Sequence, residues 1–268
     1  HDKERQTRGG YVNVIDIGPL QLVYCLVFIL IASAGSLVLK LGLERELVIG
    51  TIRTFAQLGI MGYVLKFIFD LDNVWLILLL FSFMVFWAAH AIRGRVKEQA
   101  VQIFIPTFIS MVLSYTLVSI IVTSVIVQVK PWYTPQYFIP LSGMIIGNSM
   151  NAITIALDRL FSDIRKQRDQ VELALCLGAT YQEATMSIFR DTIRAGMIPS
   201  INALMTVGLV SIPGMMTGQI LAGSNPVIAI KYQIIVMLML VASTAIGSMI
   251  VITVMRKRCF TKAHQLML

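Results

Sequence analysis

The chain has 268 residues, of which 57% are hydrophobic and 13% charged, and its mean hydropathy is +0.79. A soluble domain carries about 25% charged residues, so the composition excludes one and points to a bilayer, while long apolar runs without alternation exclude a transmembrane β-barrel. The net charge of +8 fits basic residues held in short cytoplasmic loops rather than nucleic-acid binding.

Residues 1–18 are polar, begin with His1, carry Lys3, Arg5 and Arg8, and read as a flexible, frayed or trimmed end. One helical membrane domain over 19–255 follows, then a cytoplasmic tail over 256–268. The first span is Pro19–Leu39, too long for a signal peptide and without a small-residue cleavage site. The second, Val48–Phe69, holds Arg53 and Gln57 one turn apart; Arg53 is expected to snorkel and to pair with Glu46 or Asp158. After a turn at Asp70, Asp72 and Asn73, the third span, Val74–Ala91, ends in the basic run Arg93–Lys97. The fourth, Ile103–Val129, should kink at Pro106. Trp132 and Tyr133 suit an interface belt ahead of the fifth span, Phe138–Phe161. The longest polar interruption follows, a coupling segment over 163–197. The sixth span, Ile198–Ala222, and the seventh, Val227–Met255, lead to Arg256, Lys257 and Arg258. Three basic segments placed inside give an all-α integral membrane protein of about seven spans, N-terminus outside and C-terminus inside; the basic N-terminal tail runs against that rule.

The fifth span carries Gly143 and Gly147, with Asn148, Asn151, Thr154 and Asp158 continuing near the same stripe. Two readings fit. Small residues let another helix approach, or the stripe lines a central cavity in which Asn148, Asn151 and Thr154 offer polar contacts. The sixth span contains Ser211, Pro213, Gly214 and Gln219. Pro removes a backbone donor and Gly weakens the helix further, which gives either a relieved kink or the broken helix of a transporter site. Fifteen methionines admit a soft-metal reading and a gap-filling one. The three cysteines, Cys25, Cys176 and Cys259, are scattered, and His90 and His264 stand alone, so neither a disulfide framework nor a zinc site is indicated. No P-loop, zinc-protease or nucleophile-elbow motif occurs, and no carboxylate pair sits mid-span as a proton relay. Either transport is passive, through a channel or secondary transporter, or another chain supplies the energy.

Glu172–Thr180, with Gly178 and Ala179 at its turn, resembles the coupling loop of ABC-transporter membrane subunits. Ile188 keeps the expected spacing, but Arg190 and Asp191 replace the Leu-Pro of importers. Longer stretches, Gly42–Phe69, Pro140–Ala152, Gly208–Met237 and Phe260–Leu266, resemble the FetB family of permeases, whose members are implicated in iron export in bacteria and aluminium tolerance in plants. The resemblance implies a permease, itself no enzyme, that pairs with a FetA-type ATP-binding subunit as two of each. ATP and Mg would be bound by that partner, contacted through Glu172, Gly178, Ala179 and Thr180. Cargo would pass Asn148, Asn151, Thr154, Ser211 and Gln219. The bacterial branch implies iron as cargo, the plant branch UDP-glucose or a related nucleotide sugar.

Overall fold

The computed structural model describes residues 18–71, 73–96, 98, 101–261 and 265–267. The frayed end over 1–17, Asp72 of the first turn, Lys97 of the basic run, and Lys262 and His264 of the tail lie outside the described residues. The described chain is helical almost throughout: α1 (Pro19–Tyr24), α2 (Leu26–Val38), α3 (Glu44–Leu71), α4 (Val74–Arg95), α5 (Phe104–Ile120), α6 (Pro135–Lys166), α7 (Arg168–Cys176), α8 (Tyr181–Ala184), α9 (Met186–Thr206), α10 (Gly214–Leu221) and α11 (Pro226–Arg258). Among the described residues six stretches are long and apolar enough to cross a bilayer: α1 with α2, α3, α4, α5 with the turn that follows it, α6 and α11. The chain divides into two units.

The first unit holds α1–α3 and residues 219–224. Its α2–α3 turn is built around buried Ser36, whose hydroxyl donates to Glu44 Oε1 at 3.0 Å and accepts from the Leu43 N–H at 3.0 Å. Of the described side chains of α3, Ile68 alone is buried. Apolar residues such as Ile52, Leu58 and Phe67 face outward, as lipid-facing or partner-facing residues do. Arg53 is exposed and makes no ion pair among the described residues, so the expected structural pair is not formed. An exposed guanidinium near a helix end needs none when its stem can carry it to the interface.

The second unit packs α4, α5, α9 and α11 around α6, which runs the full depth of the unit. One face of α6 is buried from Phe138 through Ile164. Glycines set the closest approaches. A Cβ on Gly196 of α9 would stand 2.8 Å from the Ala152 carbonyl oxygen of α6, and one on Gly247 of α11 would stand 2.9 Å from the Tyr115 ring of α5. At Pro106, where a kink is expected, α5 runs on without a break. Pro106 sits in the first turn of α5, where its missing N–H would have had no partner anyway. The irregularity comes at the other end, where the helix widens into a π-turn over Ile121–Ile126. α9 runs through Pro199 without a break. Pro199 deprives the Ala195 carbonyl of its helical donor, and Ala195 lines a polar cavity where water can serve it.

The sixth pass is broken. α9 ends at Thr206, Gly208 takes a φ of +84°, and α10 starts at Gly214. Phe260, just beyond α11, stacks against Tyr181 with centroids 5.6 Å apart, so the end of α11 lies beside the coupling segment. Pro226 stands at the opposite end of the same 33-residue helix, about 48 Å away at 1.5 Å per residue. Between α8 and Pro226 the chain therefore travels the length of α11, which makes α9, the break and α10 a seventh pass.

Candidate functional site

The coupling segment is shaped by local chemistry. α7 ends in a Schellman motif: the Gly178 N–H donates to the Leu175 carbonyl and the Ala179 N–H to the Ala174 carbonyl, both at 3.0 Å. Gly178 has a φ of +91°, a conformation that a side chain would strain. Thr180 then starts α8 with a capping box. Its hydroxyl accepts from the Glu183 N–H at 3.3 Å, while its own N–H donates to Glu183 Oε2 at 2.8 Å. These bonds to the Thr180 backbone and hydroxyl hold the Glu183 carboxyl below its ordinary range. Glu172 pairs with Arg168 one turn back, at 2.8 Å, with both side chains about half exposed. Such a pair adds little stability. Leu173 and Leu177 lie one turn apart on α7 and are 62% and 80% exposed. They form an apolar knob outside every candidate span.

Behind the knob the segment is clamped to the spans. Arg256, in the last turn of α11, is buried, with its guanidinium carbon 4.3 Å from the Phe189 ring centroid and 6.0 Å from that of Tyr181. A cation over an aromatic face at these distances is attracted by about 0.5–2 kcal/mol. Cys259 is buried in the same corner, and that burial pushes its thiol up to about 12. Beyond it the Met267 N–H donates to the Cys259 carbonyl at 2.9 Å, folding the tail back on the helix end.

The polar stripe of α6 stands on the face that α9 and α11 leave uncovered. Gly147, Asn148 and Asn151 are exposed, while Gly143 and Thr154 are half-buried. Asn148 donates to the Met144 carbonyl at 3.0 Å and Thr154 to the Met150 carbonyl at 2.8 Å, so both are satisfied within the helix. Asn151 Oδ1 accepts from Arg95 of α4 at 3.3 Å. Gly143 meets Met84 of α4, with 3.1 Å from a built Cβ to the Met84 methyl, whereas Gly147 has nothing within 4 Å. One turn beyond Thr154 the stripe runs into a cavity of about 770 Å³ lined by Asp158, Arg159, Arg165 and Glu98, among others. Arg159 bonds Asp163 at 2.6 Å and Arg165 bonds Glu98 at 2.5 Å, so cations and carboxylates alternate there.

The remaining sequence candidates lie at the break. Ser211 is exposed, and its carbonyl accepts from the Gly208 N–H at 2.9 Å. Pro213 lines a second, apolar cavity, and Gly214 opens α10. Gln219, in the last turns of α10, is half-buried with its Oε1 unpartnered. The structure thus brings Asn148, Asn151 and Thr154 onto one face and places Ser211 and Gln219 on other elements. Among the described residues no three His, Cys, Asp or Glu side chains gather as metal ligands. Sequence reasoning missed Leu173, Leu177, Arg256, Gly196 and Gln233. A glycine inside a helix and a glutamine inside a long apolar run were signals for the last two. Arg256 was hidden within a basic cluster.

The sequence profile of an uncharacterised protein family, UPF0014, matches residues 19–260. The chain belongs to the UPF0014 family. UPF0014 relatives cover it nearly from end to end. It is 40% identical to a UPF0014 membrane protein of Synechocystis over 80% of this chain and 83% of that one. It is 37% identical to the "probable iron export permease protein FetB" of Escherichia coli over 95% and 97%. It is 35% identical to "Protein ALUMINUM SENSITIVE 3" of Arabidopsis thaliana over 93% and 90%. No solved structure matches the chain at a significant level. Family membership and the six apolar helices make this a membrane protein of the UPF0014 family.

Proposed function

We propose that the chain is the permease subunit of an ATP-driven exporter, with a separate ATP-binding subunit docked on residues 163–197 and iron as cargo. The observation that carries this reading is the Leu173–Leu177 knob on a doubly capped turn. Two large apolar side chains held in water, outside the spans, are a surface kept for another protein. The sequence contains no P-loop, so ATP and Mg belong to that partner. Docking there can move the spans, because the segment passes into α9 without a break and Arg256 ties it to α11. In this scheme 163–197 and the C-terminal tail are cytoplasmic, the first residues lie outside, and two copies of the chain work with two ATP-binding subunits. The uncovered stripe of α6, with Asn148, Asn151 and Thr154, would face the second copy and line the path, and Ser211 would border it. Iron rests on the name of the Escherichia coli relative, which aligns over almost the whole chain.

Co-expression with a candidate FetA-type ATP-binding subunit, followed by co-purification and vesicle transport, tests this. Leu177→Glu should abolish co-purification while the permease itself stays folded, since Leu177 is 80% exposed. ATP-dependent movement of iron, and not of UDP-glucose, is expected in the parent complex. Iron flux through the chain alone, without ATP or partner, would overturn the ATP-driven reading.

A further inference from the structure

A cavity lies beside the broken pass in the second unit. It measures about 370 Å³, within the roughly 300–1,000 Å³ of ligand pockets. Leu204, Val207 and Ile212 of the break line one side, and Ile234, Met237 and Leu238 of α11 the other. Gln233 of α11 is the single amide in this wall. It is buried, at 5% relative exposure, and its Oε1 has no hydrogen-bond partner among the described residues. It stands seven residues from the start of α11, about 10 Å along the helix, within a span. An orphaned acceptor at that depth is destabilising until a donor reaches it.

No donor of the break reaches the Gln233 oxygen. Three carbonyls at the break are served locally: Thr206 by the Val210 N–H at 3.0 Å, Ser211 by the Gly208 N–H at 2.9 Å, and Pro213 by the Thr217 N–H and hydroxyl at 3.0 and 3.1 Å. Nor does the cavity suit an ion. No charged side chain lines it, and its softest donors are the thioethers of Met216 and Met237. A bare acyl chain would fill the walls and leave Gln233 orphaned. A charged headgroup would meet no counter-charge. The remaining chemistry is an apolar body with one neutral hydrogen-bond donor.

We propose that this cavity binds a neutral amphiphile from the bilayer, a long-chain alcohol or monoacylglycerol, whose hydroxyl donates to Gln233 Oε1 while its chain lies between the break and α11. The site stands whether or not the chain exports iron. It would act on the hinge of the sixth pass, since the ligand touches both sides of the break.

Photolabelling of the purified chain in nanodiscs tests it, with a diazirine analogue of decanol, the matching decane, and the matching decanoate at pH 8. The alcohol should label the segments 204–216 and 230–238 about tenfold more than the alkane, the weight of one hydrogen bond to a buried acceptor. The carboxylate should label them no better than the alkane. Gln233→Leu should erase the difference between alcohol and alkane. It should unfold at or above the parent's temperature, because it removes an unpaired buried group. Met237→Trp should exclude alcohol and alkane alike while keeping the amide. Equal labelling by alcohol and alkane in the parent overturns the proposal, as does an alcohol preference that survives Gln233→Leu. Cross-links between two copies through 230–238, with no alcohol labelling, would also overturn it and give the cavity to the dimer.

Discussion

Gly196 decides how closely α9 lies on α6. Alanine in place of a mid-helix glycine ordinarily gains up to about 1 kcal/mol of helix stability. Here the new methyl would stand 2.8 Å from the Ala152 carbonyl oxygen and 3.0 Å from the Ala156 Cβ. The backbone oxygen cannot turn aside, so the helices must separate. Gly196→Ala is expected to lower stability by about 1–3 kcal/mol, the usual cost of overpacking, read as a fall in the thermal unfolding midpoint in detergent. Gly147→Ala, with nothing within 4 Å in the single chain, should be neutral or stabilising in the same assay. The contrast explains what was legible. Small residues spaced by four disclose a helix face that can be approached; they do not say which helix approaches it. In this chain α9 takes the neighbouring face, at Ala152 and Ala156, and brings its own glycine.

The turn between α7 and α8 was legible for a different reason. Gly178, Thr180 and Glu183 carry their conformations in local bonds, so a glycine C-cap and a threonine N-cap could be read without knowing the fold. The broken pass was half legible. Proline and glycine marked Pro213–Gly214, but the break opens earlier, at Val207–Gly208, because Gly208 ends α9 in the left-handed region and Pro213 begins the next helix. Pro199, equally conspicuous in sequence, sits inside α9, and Ala195, whose carbonyl it frees, is among the residues lining a polar cavity. The capping box makes a prediction with a definite sign. The folded carboxyl of Glu183 titrates below its unfolded value, so its contribution is full above the unfolded pKa and is lost as pH falls through the folded one. Amide exchange at Thr180 and Glu183 should accelerate relative to α6 amides as pH drops below about 4, after correction for intrinsic exchange. Glu183→Gln, which keeps an acceptor, should flatten that dependence. Thr180→Ala should loosen the turn by about 1 kcal/mol at any pH.

At the scale of the molecule, the number of passes follows from which ends meet. Tyr181 touches Phe260, so α8 and the end of α11 share a face of the membrane, and α11 must place Pro226 on the other. Composition shows the apolar runs at once, but among the described residues the sixth pass contains no single helix both long and apolar enough to count as a span. Its apolar run over 198–222 already marks a crossing in the sequence, and contacts between residues far apart in sequence place its two ends on opposite faces. Thiol labelling in intact cells checks it. Cys176 is exposed beside the knob, whereas Cys259 is buried with its thiol raised to about 12. In a chain with Cys25→Ala and the exposed loop residue Ser224→Cys, an impermeant maleimide at pH 7.5 should label position 224 from outside. It should reach Cys176 only after the membrane is opened, and leave Cys259 unmodified until the protein unfolds, since a thiol so far from ionising is unreactive at that pH. Labelling of 176 and 224 from the same side would mean that the broken pass turns back within the membrane and the contact between Tyr181 and Phe260 is misplaced. Addition of the ATP-binding subunit to opened membranes should then slow labelling at Cys176 alone, because that thiol borders Leu177 at the surface assigned to the partner.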